Sequence, residues 1–152
     1  MATYTSDRVA DMLIHLARER GIDITNLKLQ KLLYYAQAWN LVFTGEPLFS
    51  GDIEAWVHGP VVPSVFRRFK AFGWNTIDSP VTPYHDTYLS AHLKLILTAY
   101  GALGATQLER LTHSEAPWKN ARKGLPPDVS SNSIIAHKDM KMFYTGLSSG
   151  RK

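Results

Sequence analysis

The sequence predicts a mainly α fold, a compact single-domain helical structure with a short β element before the third helix. Three observations predict it. Apolar residues recur at spacings of three and four through most of the chain, as on helices with one buried face. Glycine and proline punctuate these stretches at short intervals, so the helices are short and closely connected. One stretch, Ile53 to His58, alternates in period two instead. With 152 residues and 45% hydrophobic composition, the chain suits one domain with a sizeable core.

The elements follow in order. A first helix runs from about Asp7 to Arg20, with Ser6 as N-cap, Asp7 complementing the dipole and Gly21 at the C-terminal turn. Val9, Met12, Leu13, Leu16 and Ala17 form its apolar face. A second runs from about Asn26 to Phe43, capped by Thr25 or Asn26 and ended by Gly45 and Pro47. Its apolar residues exceed one stripe, which makes it central and contacted from several sides. A short strand at Ile53–Val57 leads into a turn at His58-Gly59-Pro60. Pro63 opens a third helix reaching about Phe72, since a first-turn proline gives up no helical hydrogen bond. Residues 74–86, with Pro80 and Pro83, read as a loop. Further helices are expected at Thr87–Tyr100, Thr106–Thr112, Trp118–Lys123 after Pro117, and His137–Thr145. Residues 1–146 form the domain and 147–152 a flexible tail.

Composition excludes several classes of function. There is no cysteine, hence no disulfide framework, cysteine-held metal or thiol nucleophile. The net charge of +4 is spread over both halves, not gathered into the stripe of a dedicated nucleic-acid binder. Neither a secretory leader nor a membrane span is legible, so a soluble, cytoplasmic protein is expected. The six histidines form no metal-binding motif; His85 and His92 share a helix face only if both lie on the helix. Phosphate-cradling glycine loops and nucleophile elbows are missing, so no cofactor is expected. Asp52 and Glu54 share a strand face, and solvated acids are the simpler reading of them.

Two segments concentrate unusual residues. Ile53 to Pro63 packs Trp56, His58, Gly59 and two prolines around one turn. It reads either as a rigid loop presenting Trp56 and His58 or as a corner whose tryptophan fills the core. Leu111 to Trp118 reads either as a corner capped by Ser114 or Glu115 or as an acid/base pair of His113 and Glu115. Phe66 to Lys70 is similar to a basic-aromatic nucleic-acid surface, or is simply an amphipathic helix with a solvated basic face. Lys119, Arg122 and Lys123 form a second small basic cluster.

Three ordered motifs resemble one family. They are Leu27-Lys28-Leu29-Gln30-Lys31-Leu32-Leu33-Tyr34-Tyr35-Ala36-Gln37-Ala38-Trp39, then Glu54 to Val62 with its Trp-Val-His-Gly-Pro core, then Leu111 to Trp118. The family is that of the SocA-like antitoxins, or Panacea domain, also known as phage-associated GepA-type proteins. The resemblance implies a stand-alone antitoxin of a bacterial or phage toxin–antitoxin system. It would neutralise by direct binding a cognate protein toxin, usually encoded by the adjacent gene, without enzymatic activity. Trp56, His58, Arg67, Arg68, His113, Trp118 and Arg122 are then the candidate toxin-contact or site-shaping residues. A nucleic-acid-binding regulator, or a proteolytic adaptor delivering the toxin to a protease, is the alternative. A third reading is a hydrolase or transferase using His58 or His113. Homodimer formation stays open.

Overall fold

In the computed structural model, which describes residues 4–149, seven helices surround one another with a two-stranded hairpin at one side. Helix α1 (Ser6–Glu19) is capped by Thr5, whose hydroxyl accepts the Arg8 N–H. The cap lies one residue before the expected Ser6, because Thr5 is the last residue with extended backbone. Helix α2 (Asn26–Thr44) begins at Thr25, which caps the Lys28 N–H, and stops at Gly45 in the left-handed conformation. The hairpin pairs β1 (Glu54–Trp56) antiparallel with β2 (Gly59–Val61). Then come α3 (Pro63–Arg68), α4 (Thr87–Tyr100), α5 (Ala105–His113), α6 (Ala116–Arg122) and α7 (His137–Ser148).

The mainly α expectation with a short β element holds, and three local expectations need correction. The single strand is one arm of a hairpin whose second arm contains Pro60. Proline is tolerated there because β2 is the last strand of the ladder, with no further strand among the described residues on its other side to need the N–H. The third helix ends at Arg68 and tightens into a 3-10 turn at Lys70–Phe72, which lets Phe69 bury its ring. The last helix continues to Ser148, so the expected tail begins inside it; residues 150–152 lie outside the described residues.

Helix α2 is the axis. It packs against α1, α3, α4, α5, α7 and β2, and its apolar residues from Leu29 to Leu41 are almost all sealed from solvent. Its buried face also carries Asn26, Gln30, Lys31, Gln37 and Asn40. These polar side chains satisfy the backbone of neighbouring loops, as buried polar groups must. Gln37 accepts the Leu48 and Phe49 N–H groups and donates to the Phe49 carbonyl. Gln30 accepts the Val62 N–H and donates to Asn26, which in turn donates to the Phe66 carbonyl. One helix thereby fixes both ends of the segment that carries the hairpin.

Loop 74–86 is tied down by the Ile77 N–H to the Ile24 carbonyl and by Arg18 to the Ile77 and Ser79 carbonyls. Among the described residues no helix is long and apolar enough to cross a membrane.

Candidate functional site

The hairpin turn is only two residues long, Val57 and His58, and it is held from behind. Gly59 has φ +105°, a region L side chains rarely adopt. A Cβ on it would sit 2.7 Å from the Lys31 stem and 3.0 Å from the Thr112 hydroxyl. Glycine is thus required twice, for the turn and for the approach to α2 and α5. On its other side β1 is covered by residues 133–135: Ala55 donates to the Ser133 carbonyl, and Ile135 donates to the Ile53 carbonyl. The small sheet therefore has little free edge.

Lys31 lies fully buried beneath Gly59, with its ammonium 3.4 Å from the Pro60 carbonyl. Burial pushes the amine down to about 7, and the Glu109 charge opposes that fall only in part. Between this value and the ordinary lysine range the unfolded chain binds a proton the folded chain lacks. Stability therefore rises with pH from about 7 towards 10. Urea unfolding at pH 7 and pH 9 checks this. Wild type should gain about 2 kcal/mol more across that interval than Lys31→Met, a slope of about 1.4 kcal/mol per pH unit being the limit for one group. Equal gains would mean that Lys31 is charged in the fold.

The Leu111–Trp118 segment forms the brace. The His113 ring stacks on Trp118 with centroids 3.9 Å apart, and its Nε2 is buried without a hydrogen-bond partner among the described residues. Burial lowers the imidazole's proton affinity, Glu109 and the Val57 backbone oppose this, and Lys31 and Arg122 reinforce it. Trp118 is buried and donates its indole N–H to the Trp56 carbonyl at 2.8 Å. Arg122 is 2% exposed. Its guanidinium lies 4.7 Å from the Trp118 ring centroid and donates to the carbonyls of Ala55, Pro126 and Val129. The basic cluster of Lys119, Arg122 and Lys123 is thus not a common surface, because Arg122 points inward to satisfy carbonyls.

Glu115 is likewise buried, and its carboxylate accepts the Tyr35 and Tyr144 hydroxyls, each at 2.8 Å. It occupies the N-cap position of α6 without a side-chain cap, and Ser114 bonds back to the Leu111 carbonyl. The capping expected of these two residues is not formed. Among the described residues no hydrogen bond joins His113 to Glu115, whose carboxylate is spent on the tyrosines.

Trp56 and His58 stand on the outer face. Trp56 is half-buried, donates its indole N–H to Glu54 at 2.8 Å and meets Phe66 edge-on at 5.2 Å. His58 is exposed, with Nδ1 3.2 Å from Glu109. Trp74 stands beside it, with ring centroids 6.4 Å apart, and is 75% exposed. Two hollows flank the turn, of about 520 Å³ and about 320 Å³. Leu27 and His58 line both. Trp56, Phe66, Glu54 and residues 130–132 are among the residues that line the larger, and Trp74, Glu109, Thr106 and Gly73 among those that line the smaller.

The structure thus brings Trp56, His58, His113, Trp118 and Arg122 to one hairpin, two on its face and three behind or beneath it. Arg67 and Arg68 lie apart on α3. Arg67 is exposed, while Arg68 pairs with Asp7 at 3.2 Å and Asp11 at 2.5 Å and covers the Phe69 ring. With Phe69 buried and Arg68 neutralised, segment 66–70 offers little of a basic-aromatic surface.

His85 precedes α4 and cannot share a helix face with His92, which bonds the Ala36 carbonyl. Among the described residues no group of three or more histidines and acids is placed to hold a metal. Trp74 and Glu109 escape sequence reasoning. Trp74 has one weak signal, a tryptophan after glycine in a polar loop. Glu109 has none, because only packing of α5 brings it to the turn.

A family model described as "Antitoxin SocA-like, Panacea domain" matches residues 29–119. Antitoxin SocA of Caulobacter vibrioides (strain NA1000 / CB15N) is 37% identical over 147 residues, covering 88% of this chain and 78% of that protein. No solved structure matches the chain significantly.

Proposed function

Because the chain belongs to the SocA-like antitoxins with a Panacea domain, we propose that it is the antitoxin of a toxin–antitoxin pair and neutralises a cognate protein toxin by direct binding. The observation that carries the binding step is the face around the hairpin turn. There an exposed tryptophan, a half-buried one and a histidine stand on a scaffold held by buried hydrogen bonds. Large aromatic side chains on a rigid base are the usual anchors of protein interfaces, since they bury much area at low entropic cost. His113, Trp118 and Arg122 serve this face from behind by fixing the hairpin backbone. Trp56 and His58 are the contact residues, and Arg67 lies apart from this face on α3.

Co-expression with the product of the adjacent gene tests the reading, scored by growth and by co-purification. The expected result is restored growth together with a stable complex. Restored growth without a complex would remove direct binding and favour the proteolytic adaptor. A neighbour that is harmless when expressed alone would remove the pairing.

A further inference from the structure

The chemistry of the two hollows beside the hairpin narrows what this face receives. They adjoin at Leu27 and His58, which line both, so the two halves lie side by side across the turn. Each half pairs an aromatic wall with a carboxylate: Trp56 with Glu54 in the larger, Trp74 with Glu109 in the smaller. The chain as a whole carries a charge of +4, yet among the described residues no lysine or arginine lines either half. The cations that reach the hairpin, Lys31 and Arg122, are sealed behind it at 0% and 2% exposure. Glu54 is oriented by the Trp56 indole and Glu109 by the His58 ring, so both carboxylates are held in place before anything binds. A tryptophan face beside a fixed carboxylate suits a guanidinium, which stacks on the ring and bonds the oxygens.

We propose that this pair of hollows is the docking slot for a segment of the partner protein that presents arginine or lysine between apolar side chains, the cations seated against Trp56–Glu54 and Trp74–Glu109. The proposal rests on the reading that the chain binds a protein toxin and specifies which face and which partner chemistry do so. The charge argues for such an occupant: among the described residues the slot carries two carboxylates and no lysine or arginine on a molecule whose net charge is +4, so it would attract a basic segment more than the chain's overall charge does.

The probe is the purified adjacent-gene product, titrated against wild type and three variants of the full chain. Trp74→Ala and Glu109→Lys alter the slot, and Arg67→Glu reverses a charge outside it. All three positions reach solvent, and circular dichroism with thermal melting verifies folding; Glu109→Gln replaces Glu109→Lys if the lysine disturbs the brace. The slot variants should each weaken binding about tenfold or more, as truncation of an interface anchor does. Arg67→Glu should leave binding within about threefold or improve it. Wild-type affinity should fall as salt rises, less steeply in Glu109→Gln.

If folded slot variants bind as wild type, or if Arg67→Glu alone abolishes binding, the slot assignment is wrong while the antitoxin reading stands. If wild type itself does not bind, both fall together. If the isolated chain dimerises and Trp74→Ala makes it monomeric, the slot is closed by a second copy and the proposal is overturned.

Discussion

Replacing Arg122 by alanine should destabilise the protein by about 3 kcal/mol, a large share of the ~5–15 kcal/mol that holds a domain of this kind. The side chain is buried and bonds three carbonyls from two parts of the chain, Ala55 in β1 and Pro126 and Val129 in the following loop. Removing it strands the buried Ala55 carbonyl, opens a cavity against Trp118 and ends a cation–π contact. Arg122→Lys should recover only part of the loss, because an ammonium cannot fork to separated acceptors as a guanidinium does. Urea unfolding measures the stability. Hydrogen exchange at residues 126–135 should show protection lost first there, since Arg122 links that loop to the sheet. Residues 130–132 wall the larger hollow, so partner binding should weaken as well. Unchanged exchange in that loop would mean that Arg122 does not hold it.

Glu115→Ala should cost about 3 kcal/mol, whereas Glu115→Gln should be neutral or stabilising near pH 7. The carboxylate is the shared acceptor for the buried hydroxyls of Tyr35 on α2 and Tyr144 on α7, and Tyr144 also bonds Tyr34. Alanine leaves donors unsatisfied in the seam that docks α7 on α2, at about 1–3 kcal/mol for each group stranded.

Glutamine retains an acceptor and removes a charge. That matters because burial raises the Glu115 pKa, the tyrosine hydrogen bonds offsetting it only in part. A folded pKa above the unfolded one contributes stability that is fully present below the ordinary glutamate range. The contribution is lost as pH rises through the folded value. The advantage of Glu115→Gln over wild type should therefore grow from about pH 4 towards neutrality. Parallel urea titrations at pH 4, 5.5 and 7 read it directly. A constant difference would mean that the carboxylate is as well solvated in the fold as outside it.

Much of this fold was legible because helix signals are local. Val9, Met12, Leu13 and Leu16 repeat at helical spacing, Thr25 caps the helix that follows it, and Gly21 and Gly45 terminate helices at positive φ. The Thr87–Tyr100 helix has the bounds its pattern implies. Pro63 opens α3 as its chemistry requires. The motifs also announced that residues 54–62 and 111–118 are special, and both segments meet at the hairpin.

What each special residue does was not legible, because a side chain's role depends on what faces it. Trp56 and Trp118 are the same residue type, each within one of the family motifs. One stands at the mouth of a hollow, and the other is buried with its indole bonded to the first one's carbonyl. Arg67 and Arg122 are both helix arginines beside aromatic residues, yet one is exposed and the other is a buried clamp. Gln30, Lys31 and Gln37 look like solvent-facing residues of an amphipathic helix, and they are buried because loops rather than water meet that side of α2.

The sequence by itself determined which segments are helical and their bounds to within a few residues, the turn glycine and the family motifs, since these rest on periodicity, capping and backbone conformation within a few residues. Only the tertiary structure decided which polar groups are spent on backbone and which remain for a partner. That division depends on long-range packing, which sets Glu109 beside His58 and Trp74 and hides Lys31 and Arg122 behind them.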